Sequence, residues 1–373
     1  MPEPAFVDDR GSIAEAERVT IDWPEHVEKP RIGIVQDYGQ WPRWTKYCQF
    51  LERNALPYDL YNIHSGDWLE KAAQYDAIVG CASSEPYHLE EMRRKYHFLE
   101  TYLDKVCYPS LKHAMLYEDK SLEAYLASVF GLPYAKTYIS HDKDDAMRTV
   151  ETMAYPVVYK IVPSSGSLGM ELVRTQRRAR QIVEQAFSRV GRKTHYPFLW
   201  QKDFVYFQEY VPNDGYDIRV EVIGNKMFGY YRKVLEGDFR ASGMHLGVEK
   251  RVIPEEVLRI ALRANEIIQS PLLAVDMVHG LDGKYRIIEF SPISGDVENP
   301  EELKVNGVTG VYVVDDDGVL RFQEGKYWIH ELVIKEFLLK AYLSRALAQE
   351  TSLLGSHPAT DAIRPIAYPL EVG

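Results

Sequence analysis

Two acidic residues in the C-terminal third of the chain carry the first chemical signal. Asp276 lies in Leu272-Leu273-Ala274-Val275-Asp276-Met277-Val278, and Glu289 in Tyr285-Arg286-Ile287-Ile288-Glu289-Phe290-Ser291. Both segments read as apolar β-strands, and Asp282-Gly283 between them signals a hairpin. With Asp282 and Gly283 as the two loop residues, Leu281 faces Lys284 and, counting outward, Asp276 faces Glu289. Directly opposed side chains lie about 4.5–5.5 Å apart at Cβ. Two uncompensated carboxylates there would repel. Either both acids face solvent, or a divalent cation lies between them. Oxygen ligands on a rigid sheet suit Mg2+, which takes one or two carboxylates together with substrate phosphates.

A second signal is the loop Pro163-Ser164-Ser165-Gly166-Ser167-Leu168-Gly169. Its small residues let backbone N–H groups approach an anion closely. Lys160 stands on the strand that feeds the loop, so a polyphosphate could be held from two sides. The spacing is not that of a Walker A loop, because no Gly-Lys-Ser/Thr opens the next helix. Read alone, the loop is equally a Gly/Ser surface turn. A third element is Phe207-Gln208-Glu209-Tyr210-Val211-Pro212, followed by Asp214, Asp217 and Arg219. Counting across a Gly224-Asn225 turn sets Asp217 opposite Arg232, where a plain cross-strand ion pair is one reading. Arg240 and His245 bring further charge near the same sheet.

These residues need elements to position them. Residues 1–30 are polar and Pro-containing and read as an arm or loosely held segment. Strands at 31–36, 58–63 and 77–81 alternate with helical stretches at 43–53 and 89–103, predicting a small parallel α/β domain over 31–116. Ligands gather at the carboxyl ends of such strands, which places Asp37-Tyr38-Gly39-Gln40-Trp41-Pro42-Arg43-Trp44 at a candidate substrate site, with Arg43 facing Arg240 or His245. A helix opens at Asp119-Lys120-Ser121 and ends at Gly131. Strands at 156–162, 205–211, 218–223 and 227–231, helices at 175–190 and 255–268, and the acidic hairpin follow. An amphipathic helix over 330–347 closes the module, and residues 348–373 form a tail.

The chain has 373 residues, 46% hydrophobic and 27% charged, enough for two or three globular domains. Its net charge of -11 and lack of a basic run argue against a nucleic-acid surface. Cys48, Cys81 and Cys107 show no metal or disulfide pattern, which fits a reducing cytoplasm. The N-terminus is no signal peptide, and no stretch approaches a membrane span.

In order, Asp119-Lys120, Tyr155-Pro156-Val157-Val158-Tyr159-Lys160, the Ser/Gly loop, Gln208-Glu209-Tyr210-Val211, Asp217-Ile218-Arg219-Val220, Asp276 and Glu289 resemble the ATP-grasp superfamily. The nearest branch is that of the ribosomal-protein glutamate ligases. The resemblance runs from about Met115 to Gly295, and the segment before it is similar to the small domain that precedes such modules. It implies a fold of α/β and α+β parts, with the nucleotide between two subdomains of a module over 117–347. It implies an ATP-dependent carboxylate–amine ligase that forms an acyl phosphate, with ATP and Mg2+ as cofactors. Lys120 and Lys160 would bind phosphates, and Ser164, Ser165, Gly166, Ser167 and Gly169 would cover them. Gln208, Glu209 and Val211 would meet adenine, and Asp217 the ribose. Asp276 and Glu289 would hold the metal, and Arg219, Arg232 and Arg240 would neutralise the transferred phosphoryl group. Ser291 stands where the family carries an Asn metal ligand. The run from Arg240 to Gly247 lacks the branch's Asn and Gly-Gly pair. Those departures motivate a rival, a nucleotide-binding regulatory subunit; phosphoryl transfer to a hydroxyl is a second. The substrates would be a small carboxylate and an amine, an amino acid or peptide among them, and a homodimer is compatible.

Overall fold

The computed structural model describes residues 6–37, 42–80, 84–164, 166, 168–234, 247–294 and 299–348. The first domain alternates β1 (Ile32–Ile34), α1 (Trp44–Arg53), β2 (Tyr58–Leu60), α2 (Trp68–Ala72), β3 (Ala77–Val79), α3 (Pro86–Tyr102) and β4 (Val106–Tyr108). The strands pair in parallel in the order β2-β1-β3-β4, as the alternation of strands and helices requires. On α3, Leu89, Met92, Tyr96 and Leu99 recur at helical spacing and are all buried. Three-residue β4 is too short to have left a periodic signal, and the sequence reading missed it.

After α4 (Leu111–Leu116), α5 (Lys120–Phe130) opens the module. The Asp119 side chain caps it by accepting from the Ser121 and Leu122 N–H groups, and Gly131, at φ +64°, ends it. Then come β5 (Thr137–Ser140), α6 (Lys143–Thr152), β6 (Val157–Tyr159), β7 (Glu171–Val173), α7 (Gln176–Ala186), the small pair β8 (Arg192–Lys193) and β9 (Trp200–Gln201), and β10 (Val205–Glu209). Strands β5-β10-β6-β7 form an antiparallel sheet whose core includes Val150, Ala179, Ile182 and Val183.

The larger sheet is built from β11 (Asn213–Ile223), β12 (Lys226–Lys233), β13 (Val248–Glu249), β14 (Leu273–Gly280), β15 (Tyr285–Ser291), β16 (Lys304–Val305), β17 (Val308–Val314) and β18 (Leu320–Glu324). Helix α8 (Glu255–Ile268) packs Val257, Leu258, Ala261 and Ala264 into this sheet's core. Across the Gly224-Asn225 turn, Ile223 pairs with Lys226 and Asp217 with Arg232, the register read from sequence.

The β14–β15 hairpin corrects that reading in one respect. His279 pairs with Tyr285, and the Gly280 N–H reaches the Lys284 carbonyl at 2.9 Å. The loop is therefore Leu281, Asp282 and Gly283, with Gly283 at φ +76°; a turn followed by a left-handed glycine is the common three-residue solution. Asp276 still faces Glu289, because Met277 pairs with Ile287 and Asp276 with Glu289, leaving Ile288 as the extra residue of a bulge. The longer loop and the bulge cancel.

The arm is a second correction. From residue 6 onward it is strapped to the fold rather than loose. Trp328 Nε1 donates to the Ala14 carbonyl at 2.9 Å, the Glu17 N–H to Lys326 O at 2.6 Å, and the Ile21 N–H to Asn54 Oδ1 at 3.0 Å. Val19 shares a core with Ile32, Trp44 and Leu51 of the first domain and with Val333 and Phe337 of α9 (Ile329–Phe337). Gln49 and Arg53 on α1 both bind Glu331 on α9. The closing helix thus packs against the first helix of the N-terminal domain. No helix among the described residues is long and apolar enough to cross a membrane.

Candidate active site

Four segments of the fold converge on a buried polar centre. Glu118 takes a left-handed turn, at φ +60°, directly before α5. This sets Lys120 at the start of the helix with its ammonium inside the protein. Lys120 Nζ donates to the Ser164 carbonyl and lies 3.2 Å from Glu289 Oε1 and 3.7 Å from Glu118 Oε2. Lys160 leaves the end of β6, and its Nζ donates to the Ile288 carbonyl at 3.0 Å. Gln208 on β10 points an amide N–H at the same carbonyl, 3.4 Å away. The bulge therefore has a local consequence: the carbonyl of its extra residue is turned from the ladder toward the site. Glu123, one turn into α5, accepts the Phe290 N–H at 2.9 Å.

Burial and charge act against each other here. Burial pushes the Lys160 ammonium down to about 8, with Glu289 opposing the shift. Burial raises the Glu118 carboxyl to about 7, although Lys120 pulls the other way. Burial also disfavours the charged Lys120, yet Glu289, Glu118 and Glu123 together hold it well above the ordinary lysine value. Glu118 Oε2 is buried and has no hydrogen-bond partner among the described residues.

The opposite wall carries arginines. Arg219 on β11 grips Asp276 with Nε at 2.8 Å and NH2 at 2.9 Å. Arg232 on β12 forks onto Asp217, both contacts at 2.7 Å, and its NH2 also reaches Asp276 at 2.8 Å. Burial would raise the Asp276 carboxyl, but the two guanidiniums hold it far below the usual carboxylate range. Burial raises Asp217, with Arg232 opposing. The repulsion expected between Asp276 and Glu289 is thus relieved by protein cations, two arginines for one acid and a lysine for the other.

Asp276 and Glu289 offer the hard oxygen donors that Mg2+ takes, and the remaining ligands would come from phosphate. Ser291 adds little: its hydroxyl donates to the Ile293 carbonyl at 2.6 Å and accepts the Ile293 N–H at 3.3 Å. Among the described residues, no three His, Cys, Asp or Glu side chains stand together as a metal cluster. Both Asp276 oxygens are engaged by Arg219 and Arg232, so a cation held here would share that carboxylate with them and draw on Glu289 and phosphate for its other donors.

Ser164 is buried and its hydroxyl donates to the Ile161 carbonyl at 2.9 Å. Gly169 sits at φ +71°, the left-handed region that favours glycine, and a Cβ there would lie 2.4 Å from Ile161 Cδ1, which would have to shift. Gly166 also has positive φ. Ser165, Ser167, Arg240 and His245 lie outside the described residues. Glu209 ends β10; its N–H donates to Lys136 O at 2.8 Å and its Oε1 accepts the Lys136 N–H at 2.9 Å. Val211 follows, its carbonyl accepting from Asn213 Nδ2 at 3.0 Å, in the link between the two sheets. Arg43 is not in this centre. It pairs with Asp37 at 3.1 Å, beyond the carboxyl end of β1.

Glu118 and Glu123 were missed from sequence. Glu123 was recoverable, as a carboxylate among the apolar residues of α5 one turn after Lys120. Nothing local marks Glu118 as buried.

Two α+β subdomains meeting over buried lysines, with opposed acids on the larger sheet, are the ATP-grasp architecture. Residues 117–306 match the model of the RimK-like ATP-grasp domain, and the chain belongs to that family. A RimK domain ATP-grasp protein from Sphaerobacter thermophilus superposes with a TM-score of 0.53 at 14% identity, over 83% of this chain and 99% of that one. D-alanine–D-alanine ligase from Bacillus anthracis gives 0.54 at 13% identity, over 86% and 99%. In sequence, the α-aminoadipate–LysW ligase LysX of Saccharolobus solfataricus is 27% identical over 274 residues, 71% of this chain and 93% of that protein. The coenzyme γ-F420-2:α-L-glutamate ligase of Methanocaldococcus jannaschii is 30% identical over 169 residues, 43% and 52%. The chain is an ATP-dependent carboxylate–amine ligase.

Proposed function

We propose that this ligase activates an amino-acid or peptide carboxylate as an acyl phosphate and passes the acyl group to an amine. The observation that carries the reading is the convergence of Lys120, Lys160 and the Ser164 carbonyl on the opposed pair Asp276 and Glu289. A substrate carboxylate oxygen attacks the γ-phosphorus as the bond to the β-phosphate oxygen breaks, releasing ADP. The amine then attacks the acyl carbon, phosphate leaves with the C–O electron pair, and the amine gives up a proton. Lys120 and Lys160 hold the phosphates, beneath Ser164, Ser165, Gly166, Ser167 and Gly169. Gln208, Glu209 and Val211 line the adenine side, and Asp217 takes the ribose by sharing its carboxylate with Arg232. Arg219 and Arg232, with Arg240, steady the phosphoryl oxygens and then the tetrahedral intermediate. When bound, Mg2+ held by Asp276 and Glu289 neutralises charge that develops on the transferred group.

Relatives named for α-aminoadipate and glutamate support an amino-acid substrate. The free, buried Cys48 and Cys107 support a reducing cytoplasm. The test is turnover with Mg2+, ATP and a panel of amino acids, resolved for nucleotide products. ADP and phosphate in equal amounts are expected; AMP with pyrophosphate would overturn the acyl-phosphate route. Arg43→Ala should raise the substrate's KM and leave ATP affinity unchanged, since Arg43 stands apart from the phosphate centre.

A further inference from the structure

The short strands β8 and β9 belong to neither sheet of the module, yet their hairpin touches both ends of the Ser/Gly loop. Before the loop, Gln201 on β9 accepts the Val162 N–H through Oε1 at 3.3 Å. After it, His195 packs on Gly169, where an added Cβ would lie 3.1 Å from His195 Nδ1. The turn between the strands is tied internally. Thr194 Oγ1 donates to the Leu199 carbonyl at 2.6 Å and accepts the Tyr196 N–H at 3.2 Å. Tyr196 is buried and backs Phe198, with ring centroids 5.6 Å apart.

Phe198 reaches across to another domain. Its ring meets that of Tyr87 edge to face, at 5.7 Å and 67°. Tyr87 is the second residue of α3, which begins beyond the carboxyl end of β3, where open α/β sheets gather ligands. The N-terminal domain is fastened to the other side of the module. Lys112 Nζ donates to the Ile268 carbonyl at the end of α8 at 2.8 Å, and Gln49 and Arg53 hold Glu331 on α9. The ring pair therefore spans from a domain anchored on the larger-sheet side to the subdomain that carries the phosphate loop. Both rings are 55% exposed. An aromatic pair shifts an equilibrium by about two- to tenfold, which suits a contact that forms and breaks.

We propose that Tyr87 and Phe198 are positioning residues that hold the phosphate loop in place through the β8–β9 hairpin, so that a ring in the N-terminal domain raises the affinity for ATP. The inference rests on the reading that residues 164–169 cover the ATP phosphates. Tyr87 acts on the loop through Phe198. When the pair is lost, the fraction of molecules with the loop in its binding position falls, and the apparent affinity falls by the same factor.

Calorimetry with ATP and Mg2+ compares the unmodified chain with Tyr87→Ala, Phe198→Ala and the double variant. Each single change should weaken ATP binding about threefold. The double variant should be no weaker than either, because both changes remove one contact. Phe198→Tyr keeps the ring and should keep the affinity. In turnover, KM for ATP should rise in the alanine variants while kcat at saturating ATP holds, since bound ATP itself orders the loop. Unchanged ATP affinity in Tyr87→Ala, or losses that multiply in the double variant, would overturn the latch. Failure of the unmodified chain to bind ATP would overturn the phosphate-loop reading, and the latch with it. If Phe198→Ala melts early, Tyr87→Ala, at a half-exposed helix position of the other domain, decides.

Discussion

The two walls of the nucleotide centre hold cations differently. On the arginine wall, Arg219 and Arg232 fork onto Asp276 and Asp217, every contact between 2.7 and 2.9 Å. Planar guanidiniums and carboxylates match two bonds at a time, so this wall satisfies itself. On the lysine wall, Lys120 and Lys160 donate to the backbone carbonyls of Ser164 and Ile288. Around them Glu118, Glu123 and Glu289 outnumber the ammoniums, and Glu118 Oε2, 3.7 Å from Lys120 Nζ, has no hydrogen bond among the described residues. One wall is rigid before ligand arrives. The other is under-satisfied, and its cations are free of bidentate partners that a phosphate would have to displace.

The largest test of that contrast compares Asp276→Asn with Glu289→Gln. Both should lower kcat by about 10²–10³, the range for losing one electrostatic partner of a transition state. Their stabilities should separate. Opposition of the two acids, taken alone, would make either change stabilising. Asp276 instead anchors two buried guanidiniums, so Asp276→Asn should cost about 3–5 kcal/mol. Glu289 is 30% exposed, and its direct ion pair among the described residues is with Lys120; Glu289→Gln should cost about 1 kcal/mol or less. Urea unfolding of the metal-free proteins measures both. Equal costs would mean that the arginine wall is not the self-satisfied structure described.

Much of this contrast could be read before the fold was known, because hairpin registers follow from turn chemistry. Gly224-Asn225 set Asp217 against Arg232 correctly. The Asp282-Gly283 turn set Asp276 against Glu289, although the loop holds three residues and Ile288 is bulged. What stayed hidden depends on tertiary approach. A bulge leaves no periodic trace when both strand faces are apolar. The burial of Glu118 follows from a left-handed backbone turn packed under another subdomain. The docking of residues 6–30 on α9 joins segments more than 300 residues apart, as in Ala14 with Trp328, and no local pattern encodes that.

A smaller effect separates the walls by pH. Arginines keep their charge throughout. Lys160 is depressed to about 8 by burial, while an unfolded lysine titrates near 10.4. Between those values the unfolded chain binds more protons, so this residue's contribution makes stability rise with pH across that window. Phosphate binding runs the opposite way, because it needs the ammonium. Above pH 8, ATP affinity should fall, approaching tenfold per unit of pH as binding takes up one proton. Lys160→Arg should flatten that slope whatever it does to affinity at pH 7. Calorimetric titrations at pH 7, 8 and 9 suffice, and an identical slope in the two proteins would remove Lys160 from the phosphate site.

The smallest expected effect is at Ser291, where β15 leaves the centre. Its hydroxyl closes a local turn with both backbone groups of Ile293, and Ile293 packs into the core of the N-terminal domain with Val35 and Ile63. The side chain therefore fastens the acidic strand to the neighbouring domain. An Asn could make the same turn, since its side-chain oxygen accepts from the backbone two residues on. Past the bulge the strand is regular, so residue 291 shares a face with Glu289. An amide oxygen there would add a metal donor without moving the backbone. Ser291→Asn should leave the melting temperature within a few degrees, equivalent to about 1 kcal/mol or less, and lower the Mg2+ concentration for half-maximal turnover by a few-fold. If activity instead falls tenfold while the melting temperature holds, the pocket has been rebuilt around the smaller side chain. The lysine wall would then owe its openness to that serine as well as to its carbonyl-bound ammoniums.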